Sequence, residues 1–347
     1  MTAPAASPLV LKVGDVVEVR SRAEILATLD ENGELDNLPF MPEMLDYCGK
    51  RLRVGKVAHK ACDTLTRGGM RRMDNAVHLL GVRCSGGAHG GCQAACLIFW
   101  KLDWLKKAAP GTPADTTPEP ADDEPRLLPL LTIASRRPDG DDGQPRYRCQ
   151  ATELGRATPH QLPVREVGQY VKDVRSGNVS AFWMTRATLV GLYNRLQDLS
   201  IRKLPPRLRV KGGKRWGDLV GRVVGKTPTA VLGLQPGDIV RIRSREEIEQ
   251  TLNSELLNRG MGFDAEMARF CGQTARVARR VERIIDEHSG EMLVMRQPCI
   301  VLEGIICEGA FSGSCPRSIT PYWREIWLEK VESPAVPSRD TDKAGVR

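Results

Sequence analysis

One spacing constrains this chain more than any other feature: segments recur 223 residues apart. Gly14-Asp15-Val16-Val17 returns as Gly237-Asp238-Ile239-Val240, and Arg20-Ser21-Arg22 as Arg243-Ser244-Arg245. At the same offset Phe40, Glu43 and Met44 meet Phe263, Glu266 and Met267, Cys48-Gly49 meets Cys271-Gly272, and Arg53-Val54 meets Arg276-Val277. Two copies are too few for a solenoid, so the pattern predicts a duplicated domain. The offset also sorts the cysteines. Cys48, Cys84 and Cys92 return as Cys271, Cys307 and Cys315, whereas His89 becomes Ser312 and Cys96 becomes Ile319.

Each copy carries a glycine-rich loop. The first runs Cys84-Ser85-Gly86-Gly87-Ala88-His89-Gly90-Gly91-Cys92-Gln93-Ala94-Ala95-Cys96 and leads into Trp100 and Trp104. The second runs from Cys307 to Cys315 and leads into Trp323 and Trp327. The four-residue spacing puts each tryptophan pair on one face of a helix, as core packing.

The alternation at 13–20, after a Gly-Asp turn, predicts a strand, and Ser21 with Glu24 forms a capping box for a short helix. Strands are also predicted at 52–57 and 76–83, with a short helix or strand at 99–107. The resulting layout is a tail at 1–10, a β repeat at 11–107, a Pro- and acid-rich linker at 108–126, a connector at 127–230, a second repeat at 231–332 and a tail at 333–347. In the connector, 127–133 looks strand-like, and helical spacing over 164–199 with a break at Ser176-Gly177-Asn178 predicts two amphipathic helices.

The Gly-Asp-Val-Val-Glu-Val-Arg opening and Tyr47-Cys48-Gly49-Lys50-Arg51-Leu52-Arg53-Val54 resemble SH3-type small barrels, including the barrel of the nitrile hydratase β chain. Nearly the whole chain resembles a bacterial family with this two-copy, cysteine-containing layout, through Phe40-Met41-Pro42-Glu43-Met44, Cys92-Gln93-Ala94-Ala95-Cys96 and Tyr322-Trp323-Arg324-Glu325. The resemblance implies a layout and no activity. The expected fold is mainly β with a helical connector (α+β), a tandem repeat of two small SH3-like β-barrel modules.

No run of about 20 apolar residues is present, which excludes a membrane span. The first eight residues lack the form of a secretory signal, so the expected location is cytoplasmic. In a reducing compartment ten cysteines point to metal ligation or catalysis rather than disulfides. Thiolates favour soft centres, here zinc or an iron–sulfur cluster. The absence of a Cys-x-x-Cys pair moves some weight from zinc to iron–sulfur.

The expected ligands are Cys48, Cys84, Cys92 and Cys96 in the first copy and Cys271, Cys307 and Cys315 in the second, with His89, Cys299, Cys149 and His288 as further candidates. A four-thiolate first site would be structural or electron-transferring. A three-thiolate second site would leave a position open for redox or Lewis-acid chemistry. Cys62 and His78 are read as an isolated core cysteine and a half-buried strand histidine.

The net charge of +8 is concentrated at 202–226, where Arg207, Arg209, Lys211, Lys214 and Arg215 offer an alternative, nucleic-acid-binding reading. A structural zinc scaffold is the other alternative, and a partner protein remains open. No dinucleotide fingerprint, phosphate loop, nucleophile elbow or His-Glu-x-x-His motif occurs.

Overall fold

The computed structural model describes residues 9–66, 69–109, 111–114, 125–140 and 143–331. The predicted tail at 333–347, most of the tail at 1–10 and the centre of the 108–126 linker lie outside the described residues. The fold is mainly β with several sheets and helices concentrated between them.

The first sheet has the spatial order Trp100–Lys101, Ala76–Leu79, Arg51–Val57, Val16–Val19, Leu105–Lys107. The second has the order Met292–Leu302, Thr274–Ile285, Ile239–Ile242, Leu328–Lys330. Their registers coincide once 223 is added: Val16 opposes Arg53 as Ile239 opposes Arg276, and Val19 opposes Leu105 as Ile242 opposes Leu328. A β-bulge falls between Val54 and Lys56 in one and between Val277 and Arg279 in the other. The capping box forms twice, at Ser21 with Glu24 and at Ser244 with Glu247.

Each core is built on an aromatic triad. Phe40 packs edge-on against Trp104 with centroids 5.1 Å apart, and Phe263 against Trp327 at 5.2 Å. All four tryptophans are fully buried, and removing one such ring costs about 3–5 kcal/mol. They do not form the helical face that their spacing suggested. In each half the first tryptophan lies in an extended segment (Trp100 in a strand, Trp323 in an isolated bridge) and the second ends a short 3-10 turn, so an extended residue followed by a tight turn, not an α-helix, brings both indoles into the core.

Two expectations for secondary structure change. Leu127–Ala134 is an α-helix, not a strand. Its leucines are good helix formers, and only Leu127 and Leu131, one turn apart, are buried, a pattern an unbroken apolar run conceals. His78 is fully rather than half buried, because its strand is covered on both faces and Phe99 packs on the ring at 4.4 Å. The predicted connector helices are present as Gly168–Ser176 and Ala181–Lys203, separated at Gly177, which adopts a left-handed φ of 82°.

The two halves meet in a reciprocal contact. The end of each long hairpin receives the cysteine loop of the other half. The Ile285 amide donates to Cys92 Sγ at 3.4 Å, and the Cys62 amide donates to Cys315 Sγ at 3.2 Å. Residues 62 and 285, like 92 and 315, are 223 apart. Thr64 and Glu287, another such pair, hydrogen-bond to each other, and Arg83 donates to the equivalent carbonyls of Ala95 and Ser318 at 2.9 and 3.1 Å. Contacts in which i touches j and j′ touches i′ are the signature of a two-fold interface.

Candidate metal centre

The first cysteine loop is closed by the Cys84 amide donating to the Cys96 carbonyl at 2.9 Å, beside an isolated bridge between Arg83 and Leu97. Inside it, Gly86 takes a φ of 73°, and a Cβ there would sit 2.0 Å from the Cys92 carbonyl oxygen. Only glycine allows the loop to fold back so tightly. That turn folds the loop so that Cys84 and Cys92, eight residues apart, face one cavity.

Glu43 organises this loop from outside. Its Oε1 accepts the Ala88 amide at 3.0 Å and lies 2.7 Å from His89 Nδ1, while Cys84 Sγ donates to it at 3.9 Å. The other carboxylate oxygen, Oε2, is buried and unpaired. The His89 ring ends 3.1 Å from the Arg148 carbonyl through Nε2, so both of its nitrogens face acceptors. Donor atoms of Glu43, Cys84 and His89 all lie within 4.8 Å of one another, an arrangement compatible with metal binding. Burial raises the Glu43 carboxyl, but the His89 hydrogen bond and charge outweigh it and leave the group below its ordinary value.

Beside this triad is a cavity of about 50 Å³, large enough for a few water molecules or a compact ligand. Its wall carries Cys84, Cys92, Cys96 and Cys149, together with His89 and Arg317. Cys149 comes from the connector and precedes the helix Gln150–Ala157. That helix is pinned by Gln150, whose side chain binds both backbone groups of Phe99 at 2.8 and 2.9 Å. Burial pushes the thiols up: Cys84 far above its ordinary value, Cys96 to about 11 and Cys149 to about 12. Without a cation they are neutral, unreactive thiols.

The predicted ligands therefore divide. Cys84, Cys92 and Cys96 line the cavity, and so do His89 and Cys149. Cys48 and Cys271 do not. Each caps a 3-10 turn, Pro42–Tyr47 and Met267–Phe270, with nearly the same backbone angles, and each packs against its own core. Cys299 is buried in the second hairpin among Val281 and Val301, where Arg324 Nη1 reaches its sulfur at 3.7 Å. His288 sits in the turn of that hairpin, where its amide donates to Asp286 at 3.1 Å.

The second loop keeps the scaffold of the first with different side chains. The Cys307 amide donates to the Ile319 carbonyl at 2.8 Å, and Glu266 accepts the amides of Glu308 and Phe311. Its thiol Cys315 lies against Cys62, which the sequence reading set aside as an isolated core cysteine. A hydrogen bond from Cys315 lowers Cys62 to about 6, against the opposing effect of burial and with help from the Arg317 guanidinium. Arg317 Nη1 lies 4.0 Å from Cys62 Sγ and 3.1 Å from Thr64 Oγ1, and its Nη2 lies 3.2 Å from Glu287 Oε1. The offset could have flagged this site, since Cys62 aligns with Ile285 in the hairpin end that each loop meets.

In the basic segment, Arg207, Lys211 and Lys214 are exposed, Arg209 binds the carbonyls of Leu204 and Ile201, and Arg215 pairs with Asp198 at 2.5 Å. No helix among the described residues is long and apolar enough to cross a membrane. No family model matches the chain, and neither a curated protein nor a solved structure matches it.

Proposed function

We propose that this chain is a metal-holding protein whose centre is bound by Cys84, Cys92, Cys96 and Cys149, with Glu43 and His89 setting the loop that presents them. The observation that carries this reading is the Glu43, Cys84 and His89 donor set, all within 4.8 Å of one another, at a small cavity whose wall also carries Cys92, Cys96 and Cys149. Soft thiolates in that number suit zinc or an iron–sulfur cluster, and either would supply the cation that burial of the thiols otherwise lacks. The buried Arg317 guanidinium at the cavity wall offsets the negative charge of four thiolates.

The centre lies where the first loop, the connector and the hairpin of the second half converge, since Ile285 and Glu287 also line the cavity. Loading it therefore holds the halves in their reciprocal contact. The registers shared across 223 residues support a tandem duplication of one SH3-like module. If four thiolates close around the ion, the role of the centre is structural or electron-transferring.

Metal analysis and an absorption spectrum on protein purified without oxygen test the reading. Bound metal is expected, lost in Cys96→Ser and Cys149→Ser and retained in Cys48→Ser and Cys271→Ser. A brown protein containing iron and sulfide identifies a cluster, and a colourless one containing zinc identifies a structural site. Metal-free protein, or metal content that follows Cys48 and Cys271 instead, overturns it.

A further inference from the structure

Cys62 and Cys315 lie 253 residues apart in the chain and side by side in the fold. The Cys62 amide donates to Cys315 Sγ at 3.2 Å, and the two residues share a small apolar cluster with Met70 and Leu162. Cys315 is buried, whereas Cys62 is only partly buried. The Arg317 guanidinium, which also reaches the wall of the neighbouring cavity, lies 4.0 Å from Cys62 Sγ, and neither Cys62 nor Cys315 lines that cavity. A fixed positive charge beside the sulfur favours a thiolate nucleophile.

We propose that Cys62 and Cys315 are a reversible dithiol–disulfide pair that exchanges with low-molecular-weight disulfides and, when oxidised, staples the two halves together. Cys62, the more accessible, attacks one sulfur of a disulfide RS–SR. That S–S bond breaks, one thiolate RS⁻ leaves, and Cys62 carries a mixed disulfide. Cys315 then gives up its proton and attacks the Cys62 sulfur, the mixed disulfide breaks, and the second RS⁻ leaves. In sum, two protein thiols and RS–SR give one protein disulfide and two RSH. The pair is oxidised by two electrons and the small disulfide is reduced by two.

The charged groups facing the pair are consistent with this order. Arg317 and Glu287 come from the second half and Lys60 from the strand that bears Cys62, and Arg317 Nη1 lies 4.0 Å from the Cys62 sulfur. The counterpart position in the other half has no thiol to pair with. Cys92 Sγ meets the amide of Ile285, so the exchange chemistry belongs to one side of the interface only.

The test uses the full-length protein as purified and oxidised glutathione as the probe, followed by acid quenching, alkylation and peptide mapping. The expected product is a single bridged peptide pair joining Cys62 to Cys315, reversed by excess dithiothreitol and absent in Cys62→Ser and Cys315→Ser. Oxidised protein should unfold at a temperature several degrees higher, as cross-linking so long a loop predicts. Glutathione held on Cys62 without bridging, bridging through another cysteine, or thiols that alkylate only after a chelator is added would each overturn the proposal. Metal content is measured in the same samples. It should be unchanged in Cys62→Ser and Cys315→Ser, so failure of this pair and failure of the metal centre are separate results.

Discussion

The two cysteine loops have one backbone and two chemistries. Gly86 and Gly309 adopt φ values of 73° and 75°, and Ala95 and Ser318 both enter the left-handed region at 50° and 42°. Glu43 and Glu266 hold their loops through the same kind of amide contact. Around that shared frame the first loop gathers thiols towards a cavity, and the second sends its one inward thiol across the interface to Cys62. The recurring frame thus keeps the residues that shape the loop and varies the side chains it presents. Each set of thiols is completed from outside its loop, by Cys149 of the connector on one side and by Cys62 of the opposite half on the other.

The sharpest way to break this comparison acts on the anchoring of the second loop alone. Lys60 is fully buried, and its ammonium bonds Asp173 at 2.6 Å and the Gly313 carbonyl at 2.6 Å. Its equivalent, Arg283, anchors the first loop through its backbone carbonyl, which accepts the Gln93 amide at 3.0 Å. Asp173→Asn leaves a buried ammonium without its charge partner and is expected to cost about 3–5 kcal/mol of unfolding free energy. Hydrogen exchange should rise in 307–319 and not in 84–96. Equal loosening of the two loops would show that the anchors are not independent.

A smaller effect should separate the halves by pH. Burial holds His78 down to about 4, and its counterpart at the same offset is Val301. Unfolded histidine binds a proton below about 6.5 whereas folded His78 does so only below about 4, so the unfolded state gains protons first as pH falls. Stability is therefore lost from pH 6.5 downwards, by roughly 3 kcal/mol across that window from this one residue. His78→Val should flatten the acid limb of a denaturation series. At pH 5 the first sheet should exchange faster than the second, after correction for intrinsic rates, and the reverse order would refute this account.

How much of this was legible beforehand depends on which residues share a copy. The offset, with the Ser21–Glu24 capping box, pointed to the opening strand and short helix of each half, because those depend on local patterns that recur in the sequence. It also found Cys84 and Cys92, whereas Cys96 came from the clustering of thiols in the first loop. It gave no prior weight to Cys62, since a cysteine without an echo looks like a core residue, and it kept Cys48 and Cys271 because they do recur. Recurrence marks what builds the module: a turn cap recurs for the same reason a ligand would. Contacts between the halves leave no local trace in sequence, so Arg317, Cys62 and the Thr64–Glu287 contact became visible only when the interface was on hand. The 127–134 helix was missed for a different reason, since a short apolar run has no period from which to choose helix over strand.

The finest comparison concerns one hydrogen bond present in both halves. Trp104 Nε1 donates to Thr28 Oγ1 at 3.1 Å, and Trp327 Nε1 donates to Thr251 Oγ1 at 2.9 Å. Both indoles are fully buried, so removing the acceptor strands a buried donor. Thr28→Val and Thr251→Val keep the β-branched shape and remove the hydroxyl, and each is expected to cost about 1–3 kcal/mol. Each hydroxyl also donates at 2.7 Å to a backbone carbonyl, of Ile25 and of Ile248, so the losses should match to within about 0.5 kcal/mol. A double variant should then lose the sum of the two, because the bonds sit in separate cores. Unequal single losses would place the divergence of the two halves deeper than their reactive loops, in the packing of the cores themselves.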